Sequence, residues 1–369
     1  MPMAECFFIS DSAAWNALLR PLPCAHVLQT WEWGEFKRRT TGWTPERLAF
    51  RQDDQIVAAA QILTRRVGPL RVMYVPKGPA LDYADSGLLA AVLDHLQRLA
   101  RRRGAIWLKI DPDVVAGTGI PNGSPLLEGE GGEGKNRDDP TGQAVLRTLR
   151  ARGWRFSADQ VQFRNTITVD LTRPADDLLA SMNQSTRRKV RTAEKKGVTV
   201  RPAGIDDIPT LYDLYRVTGA RDGFLIRPLD YYRDAWGTFM QAGLAQAFLA
   251  EAEDRPIAHV ILLHFGHKCW YFYGASSNEA RERMPNYALQ WTAMQWAQAQ
   301  GYPVYDFWGA PDTFEESDRL WGVYRFKRGF GGVITRHIGA WDYAPYPPLY
   351  RAYTVLMPRL LGLMRKRAD

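Results

Sequence analysis

Lys327 has the most promising chemical setting in the chain. It lies in Tyr324-Arg325-Phe326-Lys327-Arg328-Gly329-Phe330-Gly331-Gly332, between aromatic residues and beside a glycine-rich turn. An ammonium whose stem packs on rings is held in place and suits an anionic substrate, and flanking glycines let a ligand approach the backbone. The same nine residues also read as a strand with a solvated basic face. Other chemistries find less support. Cys6, Cys24 and Cys269 lack metal-ligand or redox spacing, and His264 and His267, flanking Gly266, read as surface or core residues. No Ser-His-Asp or Cys-His grouping is discernible, so a covalent intermediate is not expected, nor a metal.

The whole chain must position that lysine. Its 369 residues are long for one core, which predicts two domains. A net charge of +8 and a pI near 9.4 favour polyanionic partners: phosphorylated substrates, RNA or an acidic membrane surface. The cysteine pattern suits a reducing cytoplasm, and neither a signal peptide nor a bilayer-spanning run is evident. From Leu349 to Arg367, apolar residues alternate with Arg351, Arg359, Arg365, Lys366 and Arg367, with Pro358 interrupting. This tail either lies on anionic lipid or docks back on the protein.

The elements repeat. Leu48-Ala49-Phe50 leads through Asp53-Asp54-Gln55 into an apolar run ending at Leu63, and Ala247 to Ala250 leads through Glu253-Asp254-Arg255 into one ending at Leu263. Each is a hairpin signal about an acidic turn. A strand, a helix (Leu88 to Arg102; Tyr287 to Gln300), a glycine stop (Gly104; Gly301) and another strand follow each hairpin. The distance from Asp54 to Gly104 is 50 residues and from Asp254 to Gly301 is 47. Duplicated domains follow, at 1–165 and 166–337, with a Gly, Pro and acid-rich stretch at 115–142 expected as a mobile loop and 338–369 as a C-terminal segment. The class is α/β, with mixed sheets flanked by helices.

That order resembles the Gcn5-related N-acetyltransferases. Their coenzyme A loop would fall at Arg281-Glu282-Arg283-Met284-Pro285-Asn286, but Met284 and Asn286 stand at its glycine positions and Pro285 removes an amide donor. No cofactor is expected. Doubled, without the coenzyme loop, the pattern resembles the Fem family of aminoacyl-tRNA-dependent peptidyltransferases. The likeness rests on Gln29-Thr30-Trp31-Glu32-Trp33-Gly34-Glu35-Phe36-Lys37, Tyr74-Val75-Pro76-Lys77-Gly78-Pro79 and Leu108-Lys109-Ile110-Asp111-Pro112. It continues through the basic segment Asn183 to Gly197, Tyr271-Phe272-Tyr273-Gly274, Asp306-Phe307-Trp308-Gly309 and Phe326-Lys327.

The resemblance implies transfer of an amino acid from aminoacyl-tRNA to an amine on the stem peptide of a peptidoglycan precursor, nucleotide-linked or lipid-linked. It implies that Lys37, Arg227 and Tyr231 hold the precursor and that Lys327, with Phe326, meets the tRNA end or the reacting carbonyl. Asp111, at a strand end, is the candidate for orienting or deprotonating the amine; a turn aspartate is the plainer alternative. For Arg227 the alternative is an ion pair with Asp230 or Asp222. Tyr271 and Tyr273 would line the cleft, and strict alternation puts both on one sheet face. Arg187, Arg188, Lys189 and Arg191 read equally as a phosphate track for tRNA or as a solvated helix, with Leu178, Leu179, Met182, Val190 and Ala193 on its buried side. Rival functions are a non-catalytic binder of cell-wall glycolipid or RNA, and a Fem-like transferase acting on another amine such as an exopolysaccharide sugar.

Overall fold

The structure, a computed structural model, describes residues 5–120 and 136–355. The middle of the 115–142 stretch and the tail beyond residue 355 lie outside the described residues. The chain divides into two compact units. Unit 1 runs to Val114 and adds Pro140–Gln162 and the chain from Ile338; unit 2 comprises Val115–Asp139 and Phe163–His337.

In chain order, unit 1 begins with β1 (Glu5–Phe8), α1 (Ser12–Leu19), α2 (Trp31–Thr41), β2 (Thr44–Gln52), β3 (Gln55–Val67), β4 (Leu70–Val75), β5 (Ala80–Leu81), α3 (Ser86–Arg102) and β6 (Ala105–Ile110). The strands β7 (Val115–Thr118) and β8 (Arg137–Asp138) belong to unit 2; α4 (Pro140–Ala151) and β9 (Arg155–Phe156) return to unit 1. Unit 2 continues with β10 (Asn165–Asp170), α5 (Ala175–Ser181), α6 (Gln184–Lys195), β11 (Thr199–Ala203), α7 (Ile208–Asp222), α8 (Leu229–Gln241), β12 (Ala245–Ala252) and β13 (Arg255–Phe265). Then come β14 (Lys268–Ser276), α9 (Pro285–Ala299), β15 (Val304–Asp306), α10 (Trp321–Arg328) and β16 (Val333–His337), before β17 (Trp341–Tyr343) closes in unit 1.

The unit 1 sheet has the order β1-β2-β3-β4-β6-β17-β9, with β5 beside β3. The unit 2 sheet has the order β11-β12-β13-β14-β15-β10-β16-β7-β8. The repeat is visible in detail. Asp53 and Asp54 turn the first hairpin at φ 48° and 61°, and Glu253 and Asp254 turn the second at 53° and 60°. Each hairpin shifts register next to its turn, opposite Phe50/Arg51 and opposite Ala250/Glu251. Each then runs into a parallel pair, β4 with β6 and β14 with β15, across a helix. α3 shows why the helix forms: Asp85 Oδ1 accepts the Leu88 amide at 2.9 Å, and Leu89, Val92, Leu93, Leu96 and Leu99 recur on one buried face.

Part of the stretch expected as a mobile loop is regular strand. Val115–Thr118 pairs with β16 and Arg137–Asp138 pairs with β7, because the chain here adds an edge to the second sheet instead of decorating the first. At the other end, Trp341 and Tyr343 sit opposite Ile110 and Leu108, so β17 is an interior strand of unit 1.

Candidate functional site

Lys327 is neither on a strand nor solvated. It lies in the last turn of α10 and is only 5% exposed. Its Nζ donates to the carbonyl oxygens of Trp308 and Gly309, both at 2.8 Å, which leaves one of the three donors of an ammonium for a ligand. Burial pulls its pKa down to about 7 while the nearby Asp306 carboxylate pushes it up. Asp306 is itself fixed, accepting from Thr166 Oγ1 at 2.5 Å and the Trp308 amide at 2.8 Å. Trp308 takes φ 49° and Gly309 φ 95°, a reversal that turns both carbonyls onto the lysine.

The glycines after Lys327 are filled by the protein, not by a ligand. A Cβ on Gly329 would lie 2.2 Å from Thr186 Oγ1, and one on Gly331, at φ 77°, 2.5 Å from the Ser181 carbonyl oxygen. They let the turn between α10 and β16 seat against α5 and α6.

Tyr271 and Tyr273 do not share a face. β14 slips by one residue at Phe272, so Tyr273 pairs with Ile261 and Tyr271 with its neighbour Leu262. That bulge reverses the alternation. Tyr271 joins the α9 and α10 side, 5.7 Å from Lys327 Nζ to ring centroid and edge-on to Phe307. Burial pushes its hydroxyl up to about 12. Its ring folds over Gly274, where a Cβ would lie 1.9 Å from the hydroxyl oxygen. Tyr273 instead packs edge-on to Tyr215, Tyr232 and Trp236 of α7 and α8.

Arg227 and Tyr231 belong to this second aromatic group. The Arg227 guanidinium is exposed, 5.8 Å from the Tyr231 ring centroid, and Tyr231 stands edge-on to Tyr232. The ion pair weighed for Arg227 goes elsewhere: Asp222 holds Arg221 at 2.9 Å and Asp230 holds Arg233 at 2.7 Å.

In unit 1, most of the Gln29 to Lys37 motif is a brace. Gln29 donates to the Pro76 carbonyl at 2.6 Å and accepts the Gln61 amide at 2.7 Å; Arg47 lies over Trp31 at 3.4 Å and bonds Glu35 at 3.0 Å. Lys37 stands apart, its ammonium 4.5 Å from the Trp33 ring and 5.0 Å from that of Phe36. Asp111 is 3% exposed and well bonded: Tyr74 Oη donates to Oδ2 and the Lys77 amide to Oδ1, each at 2.6 Å. Burial pushes its carboxyl up to about 6, against the charge of Lys77 and the hydrogen bond of Tyr74. Beside it, buried Lys77 approaches Asp113 at 4.0 Å.

The basic segment is α6 alone, cut off from α5 before it, because the chain extends at Met182 and Asn183 (ψ 150° and 156°) and Asn183 caps α6. Leu178 and Met182 therefore belong to the α5 side of the break, while Ala193 lies buried on α6. Its charges have different tasks. Arg187 donates to the Ala180 carbonyl at 2.6 Å, satisfying the end of α5. Lys189 donates to Tyr287 Oη at 3.0 Å; Arg188 and Arg191 face solvent.

Comparison with known proteins agrees with this architecture. The FemAB family pattern matches residues 20–253 and 240–357. The chain belongs to the FemAB family. The lipid II:glycine glycyltransferases of Staphylococcus aureus strains MRSA252 and USA300 are each 26% identical to it over 94% of either chain. The crystal structure of FemX superposes with a TM-score of 0.82 at 26% identity, covering 94% of this chain and 99% of that one. A tandem acetyltransferase-fold protein of clavulanic acid biosynthesis, at 12% identity, TM-score 0.52 and coverage of 93% and 98%, shares the fold alone. The protein is thus a Fem-type transferase of two tandem acetyltransferase-like domains.

In this FemAB protein two recesses flank the Tyr287–Phe326 ring pair, whose centroids are 5.1 Å apart. One, of about 650 Å³, is lined by Tyr271, Gly274, Arg221 and Arg281; the other, of about 600 Å³, by Lys189, Arg325, Arg328 and Asn183. Sequence reasoning missed Asp306, the carbonyls of Trp308 and Gly309, Tyr74 and Lys77. Their motifs were visible, but nothing in residue type shows which carbonyl a lysine meets. Among the described residues no cluster of His, Cys, Asp or Glu is set to hold a metal ion, and no helix is long and apolar enough to cross a membrane.

Proposed function

We propose that the protein moves an amino acid from aminoacyl-tRNA onto an amine of the stem peptide of a peptidoglycan precursor. The observation that carries this reading is Lys327: a buried lysine with two donors fixed and one free, in a family whose similar members are named as lipid II glycyltransferases. The ester is already activated, so catalysis needs orientation, proton removal and a partner for the developing oxyanion. The third N–H of Lys327 supplies that partner, its donors preorganised by backbone carbonyls. Asp111, with a pKa near 6, is suited to orient the amine and accept its proton at neutral pH. Lys37 and Arg227 meet the precursor's phosphates, Tyr231 makes a further contact with the precursor, and Lys189, Arg188 and Arg191 meet the tRNA beside Phe326. The reaction needs no cofactor, and the membrane enters only where the precursor is lipid-linked.

The test follows labelled amino acids from mixed aminoacyl-tRNA onto nucleotide-linked and lipid-linked precursors, with wild type beside Lys327→Ala. Label reaching precursor with wild type and far less with the variant supports the reading. Absence of transfer by folded protein that still binds precursor sinks it in favour of a binding role.

A further inference from the structure

A groove of about 500 Å³ in unit 1, where β3 turns into β4, has no part in the reaction as proposed. Arg65, Arg66, Arg71 and Arg103 line it with a single carboxylate, Glu46, so four positive charges against one negative leave a net +3. Arg103 is committed to Glu46, at 2.7 Å through Nη2, and Arg71 Nη1 donates to the Arg103 carbonyl at 3.2 Å. Arg66 and Arg71 are directly opposite across the antiparallel ladder. Like charges so placed destabilise a sheet unless an anion sits between them. Thr64, also lining the groove, has a buried Oγ1 with no hydrogen-bond partner among the described residues. Charge, register and an orphaned hydroxyl together suit an anionic ligand.

We propose that this groove binds the phosphate backbone of the tRNA, an inference that rests on the aminoacyl-tRNA reading above. Guanidinium forks match pairs of phosphate oxygens, and Thr64 adds a donor. A membrane-surface site would carry apolar anchors, and among the described residues none of the exposed large apolar side chains of unit 1 lines the groove. A recess of arginines instead admits phosphates that project from a nucleic acid.

The experiment titrates deacylated total tRNA into the full chain over a range of salt, for wild type, Arg66→Gln/Arg71→Gln and Arg65→Gln. The double variant should bind tRNA at least about fivefold more weakly at low salt, with a salt slope shallower by about 1.5 to 2, and the single variant by about one. Without ligand, the double variant should melt at or above wild type at low ionic strength, because the cross-strand repulsion is gone. Tripolyphosphate should raise the Tm of wild type more than that of the double variant. Unchanged tRNA affinity and slope, or a loss seen on phosphatidylglycerol vesicles and not on tRNA, would overturn the proposal. A parallel transfer assay separates the two levels: transfer by wild type with tRNA binding untouched by the variants sinks the groove alone, whereas wild type that neither transfers nor binds tRNA sinks the reading beneath it as well.

Discussion

Lys327 and Asp111 are both held away from their ordinary ionisation, in opposite senses. The native pKa of Lys327, about 7, lies below its ordinary 10.5, so the native state binds fewer protons between those values and stability rises with pH across that window. Asp111, at about 6 against an ordinary 3.8, works the other way: the native state keeps the proton longer, and its contribution falls as pH rises from about 4 to 6. Urea midpoints measured across both windows should show each slope flatten in Lys327→Met and in Asp111→Asn respectively. Activity should respond more steeply. Lys327→Ala is expected to lower transfer by about 10²- to 10³-fold with precursor affinity retained, by analogy with removal of an oxyanion donor. Gly274→Ala places a methyl where the Tyr271 hydroxyl lies, at 1.9 Å, and should cost about 1–3 kcal/mol, read by chemical denaturation. Much of that cost should vanish in a Tyr271→Ala background, since the clash has then no second party.

At the scale of elements, the basic segment yields a clean division. Arg187→Ala should destabilise the fold by about 1 kcal/mol because it uncovers the Ala180 carbonyl at the end of α5, while Arg188→Ala and Arg191→Ala should leave the Tm unchanged and weaken tRNA binding. A Tm lowered equally by all three would overturn this division. The hairpins were legible because aspartates, which tolerate positive φ, stand in both turns and glycines stop the helices. The bulge at Phe272 was not, since a slipped register is decided by hydrogen bonding between strands and not by residue type. α10 was also hidden: its Lys-Arg-Gly-Phe-Gly-Gly end has the composition of a loop, and only the close seating of Gly329 and Gly331 on α5 and α6 explains those glycines. The break between α5 and α6 carries neither proline nor glycine, so the helical pattern ran straight through it on paper. Burial, the property that makes Lys327 unusual, is a long-range outcome; its neighbours invite the opposite reading.

At the scale of the molecule, the units exchange pieces of chain. β7 and β8 leave the first stretch of sequence to complete the second sheet, and β17 returns to the first. A chain stopped after His337 should therefore lose more than a tail: without Trp341 and Tyr343, β6 and β9 have no strand between them. Such a chain is expected to expose an apolar sheet edge and aggregate, whereas the full chain keeps that edge covered. Light scattering and circular dichroism on the two lengths distinguish these outcomes.

The return of β17 also sets an order in time. A ribosome delivers Trp341 only after every strand of the second unit, so the first unit, though begun earlier, is the later of the two to close. For most of the chain's synthesis β6 waits as an open edge, and the window in which a chaperone has something to guard is written into the path of the chain.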